Sequence, residues 1–164
     1  MSERKTRYAT AIPDRQSHSG LVLFHVGMRI NRLRATKQWG SVLVAMFRML
    51  RELEDHPELG MLGSESYRSG RRFLVVQYWR DLESLHAWSR SGDRSHFPAW
   101  RAFNRAIKES DAVGVFHETF VVGPDGSGTL YVDMPSTGMA RAVGSAPATR
   151  SSAGPIDVAH QPGQ

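Results

Sequence analysis

Residues 78–120 concentrate the side chains that could do chemistry. Three of the four tryptophans (Trp79, Trp88, Trp100) and three of the seven histidines (His86, His96, His117) fall there. Large flat side chains with a few polar tips are what usually lines an apolar small-molecule pocket. An aromatic-rich core uses the same residues, so the pocket and the core stand as two readings of one stretch. In the pocket reading, Trp79, Trp88, Trp100, Phe103 and Tyr78 are walls, and His117 and His25 are polar contacts. His96 is the candidate base or ligand. It precedes Pro98, a residue suited to the first turn of a helix, and a helix N-terminus disfavours imidazolium. A neutral imidazole there is able to take a proton or hold a metal. Asn31, Asn104 and Arg29 are the groups expected to polarise a substrate oxygen.

These residues need a scaffold, and the hydrophobic pattern supplies one. Leu21–Ile30 alternates, with Val22, Phe24, Val26, Met28 and Ile30 on one face and His25, Gly27 and Arg29 on the other, as a strand requires. Ser41–Leu53 carries apolar residues at helical spacing (Trp39, Leu43, Met46, Leu50, Leu53). His56-Pro57 ends it, because proline disfavours helical geometry in the residue before it. Leu59–Tyr67 and Arg72–Trp79 read as a hairpin across Ser69-Gly70. Asp81 caps a helix over Leu82–Ser89. A second helix spans roughly His96–Ile107, Val113–Val122 is a strand, and Thr129–Asp133 returns as a short one. The order β-α-β-β-α-α-β predicts an α+β fold, a ferredoxin-like antiparallel sheet with helices on one face. A sheet this small needs its other face covered, and a second copy of the chain is the expected cover.

Domain organisation follows from composition. Residues 1–20 read as a flexible arm, 21–139 as the folded domain, and 140–164, rich in Ala, Ser, Gly, Pro and Thr, as a disordered tail. The chain has 164 residues and no cysteine, which removes disulfides, thiolate metal sites and cysteine nucleophiles. No secretory signal and no apolar run of about 20 residues is visible, so the expectation is a cytoplasmic protein without a membrane span. The termini, residues 1–20 and 140–164, carry +2 and +1 of the net +5, leaving +2 for residues 21–139. A domain so near neutrality, with no Lys/Arg block, gives little electrostatic reason to bind nucleic acid. His56, set among Glu54, Asp55 and Glu58, reads as a solvated loop residue, and no metal site is expected.

Five motifs in order carry a resemblance: Gly27-Met28-Arg29-Ile30-Asn31-Arg32; Gln77-Tyr78-Trp79-Arg80; His96-x-x-Ala99-Trp100-x-x-Phe103-Asn104; Gly114-x-x-His117-Glu118-Thr119; and Tyr131-Val132-Asp133-Met134-Pro135. Over residues 20–139 they resemble a family of small bacterial and fungal proteins labelled monooxygenase-like, or a domain of unknown function (DUF4188). It looks similar to the monooxygenase of the fumagillin pathway. Asp133 stands where that pattern has Asn. The resemblance implies a dimeric α+β barrel, beside the antibiotic-biosynthesis monooxygenases. It further implies a monooxygenase of secondary metabolism that needs no cofactor and acts on a hydrophobic substrate. Two alternatives stay open: a haem protein of the same fold (haem-degrading or aldoxime-dehydratase-like), with His96, His117 or His25 as axial ligand, and a ligand-binding homodimer without catalysis. No G-x-G-x-x-G, phosphate loop or H-E-x-x-H is present, so nothing in the motifs calls for a flavin or nicotinamide.

Overall fold

The computed structural model describes residues 8–11, 20–90, 111–123 and 126–148. Its main sheet is built from β2 (Leu21–Ile30), β3 (Met61–Ser69), β4 (Arg72–Trp79) and β5 (Val113–Val122). The strands lie in the order β3-β4-β2-β5 and every neighbouring pair is antiparallel. Helices α1 (Thr36–Asp55) and α2 (Leu82–Arg90) follow β2 and β4. This is the ferredoxin-like α+β arrangement that the alternating pattern predicts. The helix expected near 96–107 lies outside the described residues, as do His96, Trp100, Phe103 and Asn104.

The even residues of β2 make the inner face. Val22, Met28 and Ile30 are buried, and Phe24 and Val26 pack on the same core. Helix α1 lays Val42, Met46, Leu50 and Leu53 onto that face, and β4 adds Val75 and Trp79. Helix α1 begins at Thr36, five residues before the expected start. Its first turn has no side-chain cap. The Trp39 indole instead donates to the Leu33 carbonyl at 3.1 Å and ties the helix to the loop before it. Strand β3 begins two residues later than expected, because a 3-10 turn at Pro57–Leu59 intervenes and a bulge falls between Met61 and Gly63. Asp81 caps α2 as its position suggests, accepting from the Ser84 amide at 2.6 Å. Burial acts to raise the Asp81 pKa, but bonds from Ser84 and Arg80 to its carboxylate outweigh burial and hold it below the usual value.

The chain ends depart from the sequence reading. A second sheet, ordered β6-β1-β7, joins β1 (Tyr8–Ala11), β6 (Tyr131–Val132) and β7 (Ser145–Pro147), with α3 (Gly138–Val143) beside it. The 1–20 arm therefore contains a paired strand. The short strand near Thr129–Asp133 pairs with β1 rather than with the main sheet. Of the tail expected to be disordered from Ala140, residues 140–143 are helical and 145–147 pair with β1, while 149–164 lie outside the described residues. Small residues permit this docking. Ala11, Met139 and Ala140 are buried against Leu21 and Tyr78, with Leu23, Leu62, Val76 and Val122 around them. At Gly63 an added Cβ would lie 3.3 Å from Ala142, so α3 rests almost on the β3 backbone. Glu65 accepts from Thr137 Oγ1 and from the Gly138 amide, each at 3.1 Å, where the last residues enter α3. Asp133 takes a left-handed backbone (φ 51°), which Asp and Asn tolerate better than other L-residues, so an Asn/Asp exchange there has a backbone reason.

Deleting everything after Met139 is accordingly expected to destabilise the protein by about 2 kcal/mol or more, through lost apolar burial. A thermal melt checks it. A truncated chain that melts with the full-length protein would show that the terminal sheet adds nothing.

Candidate functional site

Between the inner sheet face and the two helices lies a cavity of about 300 Å³. Its floor is Phe24 and Val26 of β2, Val75 and Gln77 of β4, and His117 and Thr119 of β5. Met46, Met49 and Leu50 of α1 form one wall, and Leu85, His86, Trp88 and Ser89 of α2 the other. Strand register puts the floor residues together. Phe24 pairs with Gln77 on one side and Thr119 on the other, and Val26 pairs with Val75 and His117. Side chains on one strand face alternate with period two, so both rows point at α1. The result is an apolar chamber with imidazoles on two sides: His117 from the sheet and His86 from α2.

Several contacts fix the walls. The His117 ring lies 6.0 Å from the Phe24 ring, tilted by 44°. Trp88 leans on Trp79 with centroids 5.7 Å apart. Trp79 itself is wholly buried and donates its indole N–H to Gln77 Oε1 at 2.9 Å. Among the described residues no group of three or more His, Cys, Asp or Glu could hold a metal ion. No described helix is long and apolar enough to cross a membrane.

The structure brings Trp88 and His117 of the sequence candidates to this cavity and sets Trp79 beneath it, in the core. It places four others elsewhere. His25 projects from the opposite face of β2, where it meets Glu118 at 3.7 Å and the Phe120 ring at 5.2 Å. Tyr78 shares that outer face and packs under the terminal sheet, where burial first, and then Tyr131, Tyr67 and Glu65, raise its pKa. Arg29 donates to Asn31 Oδ1 at the far end of β2, and Asn31 Nδ2 donates to the Asp111 carbonyl at 3.1 Å. Strand parity is the reason: odd residues of β2 and even residues of β4 cannot share a face with Phe24 and Gln77. Gln77, Thr119, Met46 and Met49 are floor and wall residues that the sequence reading did not single out as site residues, and His86 was noted only as one of the clustered histidines. Thr119 has the same parity as His117, a signal that was available. Met46 reads in the sequence only as part of the apolar stripe of a helix.

Comparison with known proteins adds the following. A family profile described as Monooxygenase af470-like matches residues 21–139. Monooxygenase af470 of Aspergillus fumigatus is 27% identical over 123 residues, which cover 69% of this chain and 42% of that protein. Among solved structures, aldoxime dehydratase OxdRE in complex with butyraldoxime superposes with a TM-score of 0.64 at 20% identity, over 77% of this chain and 38% of that one. A further aldoxime dehydratase gives 0.62 at 19% identity, over 77% and 39%. At such identities the likeness to the dehydratases is one of fold. The chain spans less than half the length of each of these relatives.

Proposed function

Because the chain belongs to the Monooxygenase af470-like family, we propose that it is an oxidoreductase, a monooxygenase acting on a small hydrophobic molecule in the cavity between the sheet and helices α1 and α2. The observation that carries this reading is the pair of imidazoles, His117 and His86, facing a mainly apolar chamber. Such a chamber suits a substrate whose C–H is acidic. An imidazole takes the proton, and the apolar walls hold the substrate carbon against it. The resulting carbanion is electron-rich enough to react with dioxygen directly. The reaction balances as one substrate methylene group plus one dioxygen giving one carbonyl group plus one water. The substrate carbon gives up both hydrogens and four electrons, one oxygen atom stays on that carbon, and the other leaves with the two hydrogens as water. No separate reductant is required, which is why we favour a route without a cofactor. His117 is the proposed base, since it stands on a strand and is held against Phe24, whereas His86 stands on a short helix. His96 is the alternative.

Haem is the competing occupant, since either imidazole could ligate its iron. The described lining does not suit it, because no Arg or Lys among the described residues faces the cavity to pair with the two haem carboxylates. Two measurements test the reading. Turnover of an apolar substrate is expected under air and not under nitrogen. Protein produced with haem supply is expected to stay colourless, and a Soret band would move the assignment to a haem protein.

We further propose that a second copy of the chain covers the rest of the outer face. The terminal sheet leaves Phe116 and Phe120 there, each 47% exposed. Sedimentation at micromolar concentration should show a dimer, and a monomer would refute this.

A further inference from the structure

Gln77 is only 5% exposed, yet it lines the cavity. A buried polar side chain normally has its hydrogen bonds filled. For Gln77 one bond is defined: the Trp79 indole N–H donates to its Oε1 at 2.9 Å. An indole is a donor only, so the atom it meets must be the amide oxygen, and the usual ambiguity between the two ends of a glutamine side chain disappears. The NH2 end is then turned away from Trp79 with two hydrogens to give. Its neighbours on this face are Val75 along β4, Phe24 of β2 and Ser64 of β3, the α1 wall of the cavity is Met46, Met49 and Leu50, and no hydrogen bond joins the amide NH2 to any of them. We infer that Gln77 is the specificity-determining residue of the cavity, its amide donating to a carbonyl or enolate oxygen of the substrate.

The inference rests on the proposed function and narrows it to a substrate class. Gln77 and His117 stand on strands two apart and one row out of step, their backbones about 12 Å apart by interstrand spacing and rise per residue, and both line the same cavity. The substrate class is therefore an apolar ketone or phenol whose oxygen is conjugated with its acidic C–H. When His117 takes the proton, negative charge delocalises onto that oxygen, where the Gln77 donor is already in place and is worth more than in water. Trp79 acts as a positioning residue by fixing which end of the amide faces the cavity.

The test uses two probes that differ by one carbonyl, 1-tetralone and tetralin. Their binding to the full chain is measured by equilibrium dialysis, and the ratio of the two Kd values is compared between proteins, which cancels the difference in their hydration. Gln77→Leu is expected to lower the ketone preference about tenfold while leaving tetralin binding little changed, the effect of one hydrogen bond in a dry site. Should Gln77→Leu fold poorly because the indole loses its acceptor, the double variant Gln77→Leu/Trp79→Phe has no such orphan and is compared with Trp79→Phe alone. An unchanged ratio in the folded variants overturns the donor role and leaves the monooxygenase reading standing. A parent protein that binds neither probe overturns the cavity as a binding site, and this inference with it.

Discussion

His117→Ala is expected to reduce oxygen-dependent turnover by about 100- to 10,000-fold, the usual contribution of a positioned general base. The loss should fall on kcat, because apolar walls rather than the imidazole provide most of the binding. Stability should change by no more than about 0.5 kcal/mol, since His117 is an exposed residue and stands next to no buried charge. Turnover and a thermal melt of the same preparation separate the two effects. His96→Ala is the companion variant. If it is inactive while His117→Ala keeps full activity, the base is His96 and the sheet imidazole is only a wall. If neither change alters turnover, proton removal by imidazole is not part of the reaction.

The second large effect is on folding. Trp79→Ala should destabilise the protein by about 3–5 kcal/mol, the range for removing a large aromatic from a core. Trp79 is 0% exposed and packs with Val22, Val75, Leu85 and Trp88 where β4 hands over to α2. The change also leaves Gln77 Oε1 without its donor. Against a total stability of about 5–15 kcal/mol, such a loss brings the chain near the point of unfolding. Calorimetry should show the melting temperature fall by about ten degrees or more. A fall of only two or three degrees would mean that neighbouring side chains collapse into the space and that the core here is softer than its burial implies.

Much of the fold was legible in the sequence because it depends on local period and local stops. The alternation of Val22, Phe24, Val26, Met28 and Ile30 defines a strand with one dry face whatever it packs against. The spacing of Met46, Leu50 and Leu53 defines a helix, and Pro57 and Asp81 mark an end and a beginning by backbone sterics and capping alone. Counting residues along β5 likewise puts His117 and Thr119 on one face and Phe116, Glu118 and Phe120 on the other.

What the sequence left open depends on which strands become neighbours. Parity puts His25 on the mixed face of β2, but the parity of His117 along β5 does not say which face of β2 it joins. Only the pairing of Val26 with His117, and of His25 with Glu118, puts one imidazole in the chamber and the other behind the sheet. The terminal sheet was hidden for a related reason. Ala140, Ala142 and Val143 are too small and too few to make a periodic stripe. Their burial comes from a backbone approach that Gly63 allows much earlier in the chain, and from a Glu65 carboxylate that receives Thr137 and Gly138. The sequence by itself determined the elements and the face each presents. The tertiary structure decided which faces enclose the cavity and how the chain ends close the sheet, because those outcomes rest on contacts between residues far apart in the chain, which local spacing does not encode.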